Sequence, residues 1–446
     1  MAVRTAEVRA AIEGIAGIGW GTEGLTVSDE AELRRHGAEA LVRRIVFATE
    51  PGVRAGAHEA LRQACALVGI YSASNDALYR ARARGEWSGL TVPAVNLRFL
   101  VFESARSAFR AAHRGGVGAF VFEIARSEMG YTGQRPLEYA ACIFAAALAE
   151  DHRGPVFLQG DHFQVNARKD RAAEVDALRA LIAEALEADF RNIDIDASTI
   201  VDLSRATAEE AQAENAAITA TLCAEVRRRQ GSGPVVSVGG EIGEVGKENS
   251  TERDLTAFMD GVEAALEEMG GPEGLSKVSV QTGTSHGGIP LPDGTIAKVA
   301  LDFGVHERLS RLCRESYGMG GTVQHGASTL PEELFDRFPP TGAVEIHLAT
   351  GFQNLVLDAL RPADRAYVDA WVREHLGAER APGDSDEQFL YKNRKRAAGP
   401  LKRWFWDLEQ AERQRLGELL EERFRHIFER LGVDGSVDLV ERYAGR

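Results

Sequence analysis

Three of the eleven histidines in this 446-residue chain stand where a short apolar run ends. His162 follows Val156–Leu158, His286 follows Val278–Val280, and His325 follows Thr322–Val323. Carboxylates end similar runs: Asp161 beside the first histidine, Asp196 after Ile193–Ile195, and Glu241 after Val235–Val238. One such histidine is well explained as a satisfied core residue. Three of them, if their runs converge, offer neutral imidazoles with carboxylates close by. That donor set suits Zn²⁺, or Co, Mn or Fe, used as a Lewis acid. Ligands this far apart in sequence are unlike the close pairs of a structural finger. An open site of this kind either polarises a carbonyl or activates a water.

Small residues follow two of these histidines. Gly283-Thr-Ser-His286-Gly287-Gly288 and His325-Gly326-Ala327-Ser328-Thr329 offer backbone N–H groups and hydroxyls that could cradle a phosphate without lysine. A tight turn would need the same glycines.

Convergence depends on the elements. From about residue 91, eight β-rich runs (the five above, with Val92–Val95, Ala119–Ile124 and Val344–Leu348 completing the set around them) alternate with helical patterns such as Ser104–Arg114, Tyr139–Asp151 and Ala172–Ala188. Continuous apolar strands alternating with helices predict a parallel sheet buried on both faces. Eight repeats favour a closed (β/α)8 barrel, an α/β fold whose C-terminal strand ends gather at one mouth. The predicted organisation is a helical N-terminal region over residues 1–88, a catalytic barrel over 89–360 and a helical extension over 361–446. Asp29 and Ser28 are candidate caps for an N-terminal helix. Ala378–Gln388 reads as a loop, and Trp406–Leu431 as a long amphipathic helix.

Composition narrows the function classes. With 52 Lys+Arg against 67 Asp+Glu the net charge is −15, which disfavours a broad nucleic-acid face but leaves room for a small anion. The longest nearly apolar stretch, Tyr139 to Ala149, is short of the roughly 20 residues a bilayer span requires. No signal-peptide pattern opens the chain. The four cysteines, Cys65, Cys142, Cys223 and Cys313, are scattered, so neither a disulfide framework nor a thiolate zinc site is expected. The expectation is a cytoplasmic enzyme with no membrane or nucleic-acid partner. Neither G-x-G-x-x-G after the first strand nor a P-loop occurs.

In order along the chain, Ala94-Val-Asn96, Gly160-Asp161-His162, Ile195-Asp-Ala-Ser198, Gly240-Glu-Ile-Gly243, Gly283-Thr-Ser-His-Gly287 and His325-Gly-Ala-Ser328 resemble the motifs of the class II, metal-dependent fructose-bisphosphate and tagatose-bisphosphate aldolases. The resemblance runs from about Thr91 to Thr350, with an echo in the C-terminal helices. It implies that His162, His286 and His325 bind the catalytic metal, with Asp196 and Glu241 as a second position or alternate ligands. Zn²⁺ or another divalent transition metal is the implied cofactor, and a monovalent cation is a further candidate. Asp161 would be the acid/base at the cleaved bond. Glu248, or Asn249, would lie on the loop that exchanges the proton of a metal-stabilised enediolate. Asn96, Gly287, Gly326, Ser328, His347, Thr350 and Arg394 would contact the substrate or its phosphate. The implied partner is a sugar phosphate, and the implied assembly a homodimer or homotetramer.

The sequence departs from that family pattern where substrate would be touched. The first histidine of HxDH is Gln159, the strand-eight NVxTD reads His347-Leu-Ala-Thr350-Gly351, and GGxED reads Gly246-Lys-Glu-Asn249. Arg126, Arg168, Lys169, Lys247, Lys298 and the run Lys392–Arg396 are candidate anion contacts, while Glu123 and Asp202 are candidate mouth residues. The expected activity is therefore aldol cleavage or formation in a ketose phosphate other than fructose 1,6-bisphosphate. A metal-dependent sugar epimerase using the same chemistry, or a non-catalytic aldolase-like partner subunit, are the alternatives. No lysine ends a barrel strand, which disfavours an imine mechanism.

Overall fold

A computed structural model describes residues 4–243, 248–283 and 301–444. Its centre is a closed barrel of eight parallel strands: β4 (Val92–Asn96), β5 (Val121–Ala125), β6 (Gly154–Gln164), β7 (Asn192–Asp196), β8 (Ser237–Glu241), β9 (Lys277–Ser279), β10 (Thr322–Gln324) and β11 (Glu345–Leu348). The strands pair in the order β6-β5-β4-β11-β10-β9-β8-β7, and pairing of β6 with β7 closes the ring. Each strand is followed by helix, as buried parallel strands require. The helix Pro136–Ala149, which holds the longest apolar stretch of the sequence, is buried along most of its length against its neighbours. No described helix is long and apolar enough to cross a membrane. All four cysteines are buried free thiols.

The N-terminal region is not purely helical. Residues Ile18–Trp20 (β1) and Leu25–Val27 (β2) form an antiparallel hairpin, and Ile70–Ala73 (β3) adds a ninth strand to the sheet. Three- and four-residue strands carry too few alternations to register as a period. β3 pairs in parallel with the first residues of β6, Ile70 opposite Gly154 through Ala73 opposite Phe157, beneath the part of β6 that enters the barrel. The chain then crosses the N-terminal mouth. Asn75 donates its backbone N–H to the Asn192 side chain at 2.9 Å, and the Ser237 N–H is received by Ser74 Oγ at 3.0 Å. The helix Asp76–Ala83 follows and sends the Tyr79 hydroxyl up to Glu345. The N-terminal region thus plugs the floor of the barrel.

Asp29 does cap a short helix, its carboxylate accepting from Glu32 N. At the other end, the stretch expected as a loop contains a 3-10 turn, Gly377–Glu379, and leads into the helix Asp386–Asn393, capped by Ser385. Two helices follow: the short Lys402–Trp406, and Gln410–Arg430, which is the expected long helix beginning four residues later than the sequence suggests. The second packs on the helix Val101–Gly115, where Ser107 Oγ donates to Gly417 O at 2.8 Å and Arg110 pairs with Glu421 at 2.6 Å.

Candidate active site

Strand alternation decides which side chains face the barrel interior. On β7 Asp194 and Asp196 face inward, on β11 Glu345 and His347, and on β5 Glu123. On β6 the alternation is broken on purpose. The register slips between Gly160 and Phe163, and His162 takes a left-handed backbone with φ +39°. This bulge brings neighbouring residues Asp161 and His162 into one cavity. Gly160 is required there, because a Cβ would stand 2.4 Å from the Phe163 ring.

The upper layer holds three imidazoles in a row. The His162 and His325 ring centroids are 4.2 Å apart, as are those of His325 and His347. Carboxylates surround them. His162 Nδ1 lies 3.0 Å from Asp196 Oδ2 and 3.2 Å from Glu241 Oε2, and its Nε2 is 3.9 Å from Asp161 Oδ1. His347 Nδ1 lies 3.0 Å from Glu123 Oε2 and 3.2 Å from Asp161 Oδ1. Asp196 is anchored by Ser198, whose backbone N–H and hydroxyl both donate to Oδ1, and by the Gln164 amide at 2.6 Å. Burial alone would raise its pKa, yet the hydrogen bonds from His162, Ser198 and Gln164 hold it below the usual aspartate value. Glu241 is instead pushed up, by burial and by the Asp196 charge. Burial opposes charge on His162 too, but the charges of Asp161 and Glu241 and the Asp196 hydrogen bond outweigh it and hold the imidazole well above its ordinary value.

The lower layer is equally polar. Lys277 is fully buried, with Nζ 2.6 Å from Gln159 Oε1, 2.9 Å from Asp194 Oδ2 and 2.5 Å from Glu345 Oε1. Glu345 also meets His347 Nε2 at 2.7 Å and receives the Gln159 amide at 2.8 Å. Gly239 leaves the room this needs: a Cβ there would lie 2.3 Å from Asp194 Oδ1. Burial raises Asp194 to about 6 despite the lysine beside it. An interior lysine therefore exists, but it enters at the start of β9 with three partners and does not end a strand.

Above these layers opens a cavity of about 1100 Å³. The candidates Asp161, His162, His325, Gly326, Ser328, His347 and Thr350 line it together, with the candidate mouth residue Glu123. Asp196 and Glu241 lie behind His162. Asn96 is buried at the end of β4 and donates to Glu128. Glu248 is exposed, two residues before Ser250, which exchanges hydrogen bonds with Gln281 beyond β9. Arg394 is placed elsewhere. It is buried and ion-paired with Asp358, with a further hydrogen bond to Asn354, because its short 3-10 turn faces the helix Thr350–Ala359. His286, Gly287, Lys247 and Lys298 lie outside the described residues. Asp202 sits on the surface with Arg205.

Arg126, Arg168, Lys169, Lys392 and Lys395 line the same cavity, joined by Arg98, which bridges Glu128 and Gln353. Lys277, Asp194, Glu345 and Arg98 went unsingled in the sequence. The period-two spacing in Asn192-Ile-Asp-Ile-Asp196 and Glu345-Ile-His347 is the signal that could have found the acids.

The donor set fits a divalent cation. The nitrogen and oxygen atoms of Asp161, His162 and His325 lie within 4.8 Å of one another, as do those of His162, Asp196 and Glu241. Four carboxylates crowd three imidazoles in the upper layer, and Glu123 Oε1 is buried without a hydrogen-bond partner. Such an excess of buried negative charge is what a bound cation offsets.

Comparison with solved structures returns the same barrel. A probable tagatose 6 phosphate kinase from Sinorhizobium meliloti matches with a TM-score of 0.53 at 18% identity, over 79% of this chain and 93% of that one. A fructose-bisphosphate aldolase from Campylobacter jejuni matches with a TM-score of 0.50 at 16% identity, over 82% and 97%. A fructuronate-tagaturonate epimerase from Cohnella laeviribosi matches with a TM-score of 0.53 at 12% identity, over 96% and 100%. At these identities the likeness is one of fold. No protein with a curated description matches the sequence. Residues 77–412, most of the chain, match the sequence model described as fructose-bisphosphate aldolase class-II, and the chain belongs to that family.

Proposed function

We propose that the protein is a metal-dependent lyase that makes or breaks a carbon–carbon bond in an anionic ketose. The observation that carries this reading is the meeting of Asp161, His162 and His325 in the wall of one cavity, in a member of an aldolase family. His162 and His325, with Asp161 or with Asp196 and Glu241, would hold the cation. Bound there, it would supply the positive charge that draws electrons toward a ketone carbonyl.

The chain's own residues do the rest. Asp161 stands between His162 and His347, with its Oδ1 3.9 Å and 3.2 Å from their nitrogens. From there it accepts the proton of the sugar hydroxyl as the bond breaks and returns it in the reverse direction. His347, fixed from below by Glu345, keeps that carboxylate in place. The substrate's anionic end has two supports. One is the start of the helix Thr350–Ala359, beside Gly326 and Ser328, where free N–H groups favour an anion. The other is the cationic rim, in which Arg168 and Lys395 have no carboxylate partner among the described residues. These cations explain how a chain of net charge −15 attracts an anionic sugar.

A second reading, epimerisation of a ketose carboxylate through the same bond cleavage, draws support from coverage. The epimerase spans the N-terminal region as well as the barrel, whereas the aldolase leaves 18% of this chain unmatched. Metal-loaded protein incubated with ketose phosphates and hexulosonates, followed by NMR, separates the two. Release of two shorter carbonyl compounds supports the lyase. A new epimer without fragments supports the epimerase. No change in any substrate sinks both.

A further inference from the structure

At the opposite mouth of the barrel, two arginines lack the acidic partners that their neighbours have. Arg82, on the helix Asp76–Ala83, is 3% exposed. Its guanidinium donates to the Ala343 carbonyl at 3.1 Å and lies 4.8 Å from the centre of the Trp87 ring, and it pairs with no described carboxylate. Arg314, on the helix Phe303–Tyr317, also pairs with no described carboxylate, and its Nη1 is buried without a hydrogen-bond partner. Burial pulls Arg82 down to about 9, and the like charge of Arg314 adds to the fall.

Beside them lies a cavity of about 450 Å³, lined by Arg80, Arg84 and Arg314 together with Glu273. The acids nearby are already engaged. Glu273 and Asp76 stand 3.6 Å and 3.7 Å from Arg80 Nε, while Glu86 pairs with Arg84 and receives the Tyr443 hydroxyl. Arg80 further satisfies the carbonyls of Gly274 and Gly318, so those dipoles do not face the cavity unpaired. Two neighbouring guanidiniums in a low-dielectric setting without a counterion are costly, and the cost is removed by an anion. A guanidinium fork matches a tetrahedral oxyanion better than a spherical halide.

We propose that this floor cavity binds a phosphate group, held by Arg314, Arg80 and Arg84 over the buried charge of Arg82. The site is separate from the catalytic mouth and does not depend on the reaction proposed there. Its occupant is either inorganic phosphate or a small phosphomonoester, and the volume leaves room for the latter. Because the same helix carries Tyr79 to Glu345, occupancy tightens the plug beneath the catalytic layers.

The test is thermal unfolding of the full chain at matched ionic strength, in chloride against rising inorganic phosphate or glycerol 3-phosphate. The wild-type midpoint is expected to climb with phosphate and not with chloride. Whichever of the two probes has the lower half-saturation on wild type names the source. Arg314→Gln is expected to melt in chloride at or above the wild-type temperature and to lose the phosphate response, and Arg84→Gln to need several-fold more phosphate. A double variant of the catalytic rim, Arg168→Gln with Lys395→Gln, should keep the response. The proposal is overturned if wild type does not respond, if Arg314→Gln responds fully, or if the rim variant abolishes the effect.

Discussion

Asp161 and His162 are chain neighbours that an ordinary strand would aim to opposite faces, and the site exists because a bulge turns both inward. Their identities were legible in the sequence, since polar residues ending apolar runs stand out. The way they come together was not, because a bulge leaves no periodic trace. Their chemistry separates by substitution. Asp161→Asn should retain bound metal, measured by elemental analysis after dialysis, while turnover falls by roughly 10²–10⁴, the range typical of a lost acid/base group. Loss of metal together with turnover would make Asp161 a ligand instead. Lys277 answers to a different physics. It is the only described cation other than histidine touching Asp194 and Glu345. Lys277→Met leaves those buried carboxylates with His347 as their one remaining cationic partner among the described residues, and should cost about 3–5 kcal/mol of unfolding free energy by denaturant titration.

Among the elements, β6 does most to build the site. It runs for 11 residues, pairing with β3 at its start and with β5 and β7 further on. Its Gly160 admits the Phe163 ring, which lets the chain swing His162 into the left-handed region. Gly160→Ala should cost about 1–3 kcal/mol, the usual penalty of overpacking, and weaken metal binding more than a distant change of equal cost. Unchanged metal affinity would show that the bulge is not what aims His162. The barrel strands were readable because apolar runs alternate with helical periods. β3 carries no such signal: Ser72–Asn75 is turn-like in composition, and only pairing with β6 makes Ile70–Ala73 a strand. The lower polar layer was obscured for a related reason. Asp194 and Glu345 sit inside runs that are otherwise apolar, and the partner that makes them tolerable, Lys277, comes from a strand far along the chain.

Across the whole molecule, charge is sorted by depth and by face. Acids and imidazoles fill the barrel's upper interior, cations rim its mouth, and arginines gather at its floor. Histidines outside the site report on folding. His306 is fully buried, with its ring nitrogens 2.8 Å from Thr322 Oγ1 and 2.6 Å from Gln324 Oε1, and burial lowers its pKa to about 4. In the unfolded chain it titrates near 6.5. The unfolded state therefore binds the extra proton between those values, so stability is whole above pH ~6.5 and declines as pH falls toward 4. Compared with His306→Gln, the wild type should lose about 3 kcal/mol more across that window, read from denaturant unfolding at each pH. Parallel pH profiles for the two proteins would refute the assignment.

The central claim is that the imidazole and carboxylate cluster at the barrel mouth binds a divalent cation needed for carbon–carbon chemistry. It is tested most directly by following one responsive ketose substrate by NMR through chelation, dialysis and stepwise return of Zn²⁺ or Co²⁺. Wild type should fall silent on chelation and regain turnover in proportion to metal bound, and His325→Ala should do neither. Turnover that persists in the metal-free protein would contradict the account.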